Sequence, residues 1–296
     1  MRPLRFLALG FASVGAAATL SDGEMNTLLR TDAVSLAMKA QPMFLMGQML
    51  RRQPCIPTFA TNGSAQARPS KLCDWPDAAC DCRAPNVPVG TPLPSFPVYF
   101  VYSQCSNSSV RVAYNLFYTK DGYTPENLFG HPLDWERVVV VWNRTRPDEW
   151  SPSRLFLSQH TGYQRIDWGR IKNTFATGDS ARPRGGCDGV KNLDHPKVSL
   201  ARETSADVAM LLTLDTQVYI ANAKHDMHQE KKTAFVDVLS QLTDNAFRSD
   251  DWWYFPQRGD YILADLSTSI GRLIASFDWH EADASPNKVA AKLCSA

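Results

Sequence analysis

His131, Asp134 and Glu136 place three metal-binding side chain types in the short stretch Gly130-His131-Pro132-Leu133-Asp134-Trp135-Glu136. Directly behind them runs Arg137-Val138-Val139-Val140-Val141-Trp142, a β-branched segment whose composition predicts a buried strand. Residues two apart on a strand share a face, so Asp134 and Glu136 are expected to point together and Trp135 away from them. His131 precedes a proline, which pushes it out of the helical region, and Gly130 leaves the backbone free to turn. Two carboxylates this close repel one another unless a proton or a cation lies between them. The oxygen-rich donor set, with Asp121 ten residues upstream of His131, favours calcium, magnesium or manganese over zinc, and it lacks the His-Glu-x-x-His helix of a metalloprotease. The competing reading is an exposed strand start whose acids face water, with Asp121 a turn residue before Gly122.

The rest of the chain must build the frame that positions these groups. Ser21-Asp22-Gly23-Glu24 has the spacing of a capping box and predicts a helix through Leu28 and Leu29. Ala33 to Met49, rich in Ala, Leu and Met and interrupted by Pro42, reads as helical core packing. From Arg51 to Pro97 the composition turns to Pro, Ser, Ala and Cys, and regular structure should be scarce. Strand signals then follow in Val98–Tyr102, Val110–Tyr118, the valine run and Leu155–His160. Ser158 and His160 alternate with apolar neighbours and so share a face. Thr233–Phe247 has helical spacing, Gly259–Asp265 reads as a last strand or turn, and Ile270, Leu273 and Ile274 predict a short final helix. Trp135 and Trp142 are read as core, and His228 and His280 as surface residues.

The sequence Gly-His-x-x-Asp-Trp-Glu followed by a valine strand resembles the heptapeptide of the necrosis- and ethylene-inducing peptide-like proteins, the NPP1 family. The family's usual form is Gly-His-Arg-His-Asp-Trp-Glu; this chain has Pro132 and Leu133 in place of the arginine and the second histidine. Further segments are similar to family segments: Pro54-Cys55-Ile56-Pro57, Ala113–Tyr118 ahead of Asp121, Ser158-Gln159-His160-Thr161-Gly162-Tyr163, Asp194–Val198, and Val218–His225 with Asn222 in place of a tryptophan. The resemblance implies a single-domain β-sandwich with flanking helices. It implies a divalent cation, Ca²⁺ or Mg²⁺, held by Asp121, His131, Asp134 and Glu136. It further implies that the cation sits at the rim of a cleft receiving the sugar head group of a plant plasma-membrane glycosylinositol phosphorylceramide. Contact with the membrane is then peripheral, and damage follows without a bond being made or broken. His160 and His225 are candidate ligand-binding residues or donors that orient a carboxylate. His160 is also the general base of the competing class, a secreted metal-dependent hydrolase. A non-toxic glycan- or lipid-binding relative is the third reading, because Pro132 and Leu133 offer no side-chain donor.

Composition bounds these readings. The 296 residues carry a net charge of +1, which gives no electrostatic reason to bind nucleic acid. Arg2 and Arg5, the apolar Phe6–Ala12 and Ala16-Ala17-Ala18 read as a secretory signal over residues 1–18, cleaved near Thr19. The expected organisation is then an N-terminal helical segment over 19–50 and one sandwich domain over 51–296, secreted and monomeric. Seven cysteines, Cys55, Cys73, Cys80, Cys82, Cys105, Cys187 and Cys294, fit an oxidising compartment and leave one over. By resemblance Cys55 closes onto a downstream cysteine, with Cys73, Cys80 and Cys82 all candidates. Asn62, Asn107 and Asn143 begin glycosylation sequons.

Overall fold

The computed structural model describes residues 19–47, 53–74, 80–83, 85–126, 128–159, 162–171, 174–175, 195–200, 225–230 and 248–296, with backbone only at 174–175, 195–197 and 199–200. Residues 1–18, His160, Cys187, the helical pattern at 233–247 and the family-like segment at 218–224 lie outside the described residues.

A short strand β1 (Leu20–Ser21) leads into α1 (Asp22–Thr31). The capping box forms as the sequence predicts: Ser21 Oγ accepts from Glu24 N at 3.2 Å and Ser21 N donates to Glu24 Oε2 at 2.7 Å. Asp32 ends this helix and caps the next, α2 (Ala33–Met38), accepting from Ser35 N at 3.0 Å. The helical reading of Ala33–Met49 holds only to Met38. Beyond Pro42 the chain is β2 (Met43–Met46), a fully buried strand. A strand covered on both faces shows no alternation, so periodicity could not separate it from a buried helix.

Two minor strands, β3 (Thr61–Asn62) and β4 (Ala65–Gln66), form a small hairpin, and β5 is Thr91–Pro92. Then come β6 (Val98–Ser106), β7 (Ser109–Gly122), β8 (Gly130–Arg146), β9 (Glu149–Gln159) and β10 (Gly162–Asp167). The remaining strands are β11 (Thr174–Phe175), β12 (His195–Leu200), β13 (Met227–His228), β14 (Trp252–Tyr254) and β15 (Tyr261–Leu263). The chain ends in α3 (Ser269–Ser276) and α4 (Pro286–Lys292).

The protein is mainly β. One sheet has the order β1-β9-β8-β7-β6-β15, with β10 on β9; the other runs β11-β12-β2-β14-β5, with β13 on β12. A large core joins them: Val138, Val140 and Trp142 of β8 meet Phe44 and Met46 of β2 and Trp252 and Tyr254 of β14 in one buried cluster. The outer face of the first sheet is covered as well. Val139 and Val141 pack on Val289 and Leu293 of the α4 region. Leu133 and Trp135 pack with Ile274 of α3 and with Trp279. This double coverage explains why Val138–Val141 is continuously apolar.

Three disulfides tie the loop-rich parts to this frame: Cys55–Cys82, Cys73–Cys80 and Cys105–Cys294. All six described cysteines are thus paired, and the partner of Cys55 among its three candidates is Cys82. Asn62 and Asn107 are exposed, and Asn143 is half-buried at the end of the β7–β8 ladder. No helix among the described residues is long and apolar enough to cross a membrane.

Candidate functional site

The site forms at the outer end of the β7–β8 hairpin. β8 pairs with β9 only from Val138↔Leu157 onward, so residues 130–136 extend past that neighbour and have β7 as their one strand partner among the described residues, apart from a single bridge of Gly130 to Glu126. The ladder brings Asp121 opposite His131 and Gly122 opposite Gly130. That approach needs glycine on both strands. A Cβ on Gly122, whose φ is +68°, would lie 2.0 Å from the Phe129 carbonyl oxygen, and one on Gly130 would lie 2.3 Å from that of Asp121.

The spacing from His131 to Asp134 is odd, and a regular strand would send the two to opposite faces. Leu133 breaks the alternation with a φ of +65°, in the left-handed region. The ladder steps from Tyr118↔Asp134 to Lys120↔Pro132 across this position. His131 Nδ1 donates to the Leu133 carbonyl at 2.8 Å, which fixes the ring and leaves Nε2 facing Asp121 Oδ2 at 3.2 Å. An imidazole lone pair and a carboxylate oxygen at that distance call for a proton or a metal ion between them.

Asp121 and Asp134 are buried, at 2% and 6% exposure, so Asp121 is not the turn residue of the competing reading. His225 joins them. Its Nδ1 lies 2.8 Å from Asp134 Oδ2 and 3.8 Å from Asp121 Oδ1. Its ring stacks on Tyr118, with centroids 3.8 Å apart and planes 5° from parallel. One ligand atom from each of Asp121, Asp134 and His225 falls within a common 4.8 Å span. Two carboxylates and an imidazole at that separation fit a hard divalent cation with waters completing its shell.

Glu136 is buried on the same side as Asp134 but is engaged differently. Ser158 Oγ donates to Glu136 Oε2 and itself accepts from the Arg137 backbone N–H at 3.0 Å. Burial, and then the charges of Asp134 and Asp226, push its carboxyl well above the usual carboxylate range. Burial also pushes the Tyr118 phenol up, helped by Asp134 and Glu136, so it faces the cluster as a neutral ring.

Of the four expected ligands, Asp121 and Asp134 share this span with His225; His131 lines the same cavity and faces Asp121, and Glu136 lines it too but is held by Ser158, both outside the converging group. His228 is corrected from surface to buried: it is 4% exposed, with Nδ1 at 3.1 Å from Gln159 Nε2, while His280 is exposed. Sequence reasoning missed Lys120, 1% exposed, whose ammonium donates to the carbonyls of Lys71, just ahead of the Cys73–Cys80 loop, and of Cys80 at its end. The place of a lysine beside Asp121 in a strand buried on both faces was the available signal. A cavity of about 570 Å³ opens over the site, lined on one side by Asp121, His131 and Asp134 and on the other by α4.

No protein-family model and no curated protein matches the chain. Among solved structures it is similar to one described as a non-toxic HaNLP3 protein, with a TM-score of 0.41 and 16% identity over 83% of this chain and 82% of that one. It is also similar to NLPPya in complex with glucosamine, with a TM-score of 0.42 and 18% identity over 88% and 87%. A third is Necrosis and Ethylene inducing Protein 2 from the causal agent of cocoa's witches' broom disease, at 0.39 and 15% over 83% and 91%. Likeness at this level carries no argument about activity, which must come from the donor geometry itself.

Proposed function

We propose that the chain is a secreted, cytolysin-like sugar-binding protein that uses a divalent cation, Ca²⁺ or Mg²⁺, to recognise a glycan head group at a membrane surface. The observation that carries this reading is the convergence of Asp121, Asp134 and His225 within 4.8 Å, with the two carboxylates also lining a cavity large enough for a sugar. A bound divalent cation exchanges its waters for vicinal sugar hydroxyls. The protein's own groups do the rest. Asp121 and Asp134 bring negative charge into a buried site. Tyr118 holds the His225 ring in plane by stacking. Ser158 keeps Glu136 turned into the β8–β9 fork. The plant sphingolipid head group is the membrane target in this reading, and binding requires no covalent step.

A non-toxic binder is favoured over an active cytolysin by one observation. Leu133 is only 3% exposed and packs with Trp135, so the strand between His131 and Asp134 offers the cavity mouth no charged donor. Leakage from vesicles with and without plant glycosylinositol phosphorylceramide, in calcium and in EDTA, separates the two. Calcium-dependent binding of glucosamine and of the vesicles without leakage is the expected result. Sugar binding that is equal in calcium and in EDTA removes the reading altogether.

A further inference from the structure

A second set of charges lines the cavity on the side away from Asp121 and Asp134: Arg137, Lys288 and Lys292, with the acids Glu281 and Asp283 among them. Arg137 follows Glu136, and its side chain leaves the opposite face of β8, the face that α4 covers through Val139, Val141 and Val289. It is 9% exposed. Its Nε donates to the Tyr163 hydroxyl at 2.7 Å, and its guanidinium lies 4.8 Å from the centroid of the Tyr163 ring. These two contacts fix the plane of the group. Both Nη atoms are without a hydrogen bond or ion pair among the described residues, and the side chain lines the cavity. A guanidinium held this rigidly, with its forked edge turned to the cavity and used by no other described residue, is suited to an oxyanion.

The wall opposite supplies a second cation. Lys288 and Lys292 of α4 both line the cavity. Lys288 is paired with Asp283. Lys292 has no ion-pair partner among the described residues and stays available to a ligand. The Cys105–Cys294 disulfide and the Arg111 Nη1 bond to the Leu293 carbonyl at 2.7 Å fasten this end of α4 to the sheet, so the distance across the cavity is set.

We propose that Arg137 and Lys292 form an anion subsite beside the cation-binding residues, and that the ligand of the cavity is a sugar carrying a phosphate. The carboxylates of Asp121 and Asp134 repel an oxyanion, so the polyol end lies toward them and the phosphate toward Arg137 and Lys292. Only the polyol part of this assignment rests on the sugar-binding reading; the oxyanion part stands on Arg137. A neutral sugar leaves the fork to water and offers it no charged partner. Loss of a charge-assisted bond corresponds to about a ten- to hundred-fold change in affinity.

The test titrates the full chain, in magnesium, with glucosamine 6-phosphate, glucosamine and inorganic phosphate in turn. The 6-phosphate is expected to bind about ten- to hundred-fold more tightly than glucosamine. R137Q and K292Q should each erase most of that ratio while leaving glucosamine affinity within about two-fold. K292Q alters an exposed helix position, so it reads out the subsite even where R137Q fails to fold. Equal affinity for the two sugars overturns the subsite and leaves the sugar reading standing. A ratio unchanged in K292Q and in folded R137Q also overturns it. Inorganic phosphate that binds the wild type and is lost in K292Q, with no glucosamine binding at all, upholds the subsite and removes the sugar reading. Vesicles bearing a phosphorylated inositol lipid distinguish the sources. Competition with glucosamine 6-phosphate assigns the phosphate to a membrane, and lack of competition assigns it to a soluble sugar; both support the subsite.

Discussion

The inner and outer halves of β8 are one continuous strand put to opposite uses. Between Val138 and Trp142 the strand has β7 on one side and β9 on the other, a second sheet over one face and α4 over the other. Every residue there is apolar and at most 4% exposed. Between Gly130 and Glu136 the neighbour β9 is gone, the pleat is broken at Leu133, and polar side chains point into a cavity. Burial is nearly as deep in both halves, since Asp134 and Glu136 are 6% and 5% exposed. The difference lies in what satisfies the buried groups. Dispersion and the loss of water contact stabilise the inner half, whereas the outer half gathers like charges that need a cation to be satisfied. The inner half is the rigid support from which the outer half projects.

Substitutions can pull the two halves apart. The largest effect is expected from Trp142→Ala, which removes a fully buried indole from the inter-sheet core. It should lower stability by about 3–5 kcal/mol. The folded fraction should keep its cation affinity, which thermal unfolding read with and without calcium would check. A smaller loss, about 1–3 kcal/mol, is expected of Gly122→Ala, because a left-handed position would carry a Cβ against the Phe129 carbonyl. Here cation affinity should fall together with stability, since the outer hairpin itself is distorted. Identical behaviour of the two variants would erase the distinction between the halves.

The smallest effect belongs to Asp32, remote in sequence from β8 and useful as a control. The Ser35 hydroxyl, the Ser35 backbone N–H and then Arg258 lower its carboxyl from 3.8 to about 2. A depressed folded-state value means that the stabilisation is present above the ordinary value and is lost as pH falls toward about 2. Asp32→Ala should therefore lower the melting temperature slightly at neutral pH, and the curves of variant and wild type should converge near pH 2. A difference that persists there would show that Asp32 acts through packing and not through its charge.

Much of this was legible in the sequence because the information is local. The capping box at Ser21 and Glu24, the valine strand and the acid-rich stretch ahead of it each announce themselves within a few residues. The hairpin brings Asp121 to His131 because a short connection between β7 and β8 makes sequence neighbours into spatial neighbours. Three features were not legible in this way. Met43–Met46 is a strand because β12 and β14 pair with it on either side and Pro42 precedes it, against the helical preference of Met and Leu. His228 is buried by its pairing with β12, a partner far away in sequence. Arg137 reads as the charged end of a strand until Tyr163 and α4 are seen to enclose it. Leu133 holds the further lesson that strand periodicity fails where a site needs two residues of odd spacing on one side.

The central claim is that the outer half of β8 holds a divalent cation. Calorimetric titration of the metal-free, folded protein with calcium and with magnesium tests it most directly, alongside Asp134→Asn and His225→Ala. The account predicts a single site in the wild type, weakened at least about ten-fold in each variant, since each removes one of three converging ligands. Absence of binding heat with either ion in protein shown to be folded, or binding in both variants as strong as in the wild type, would contradict it.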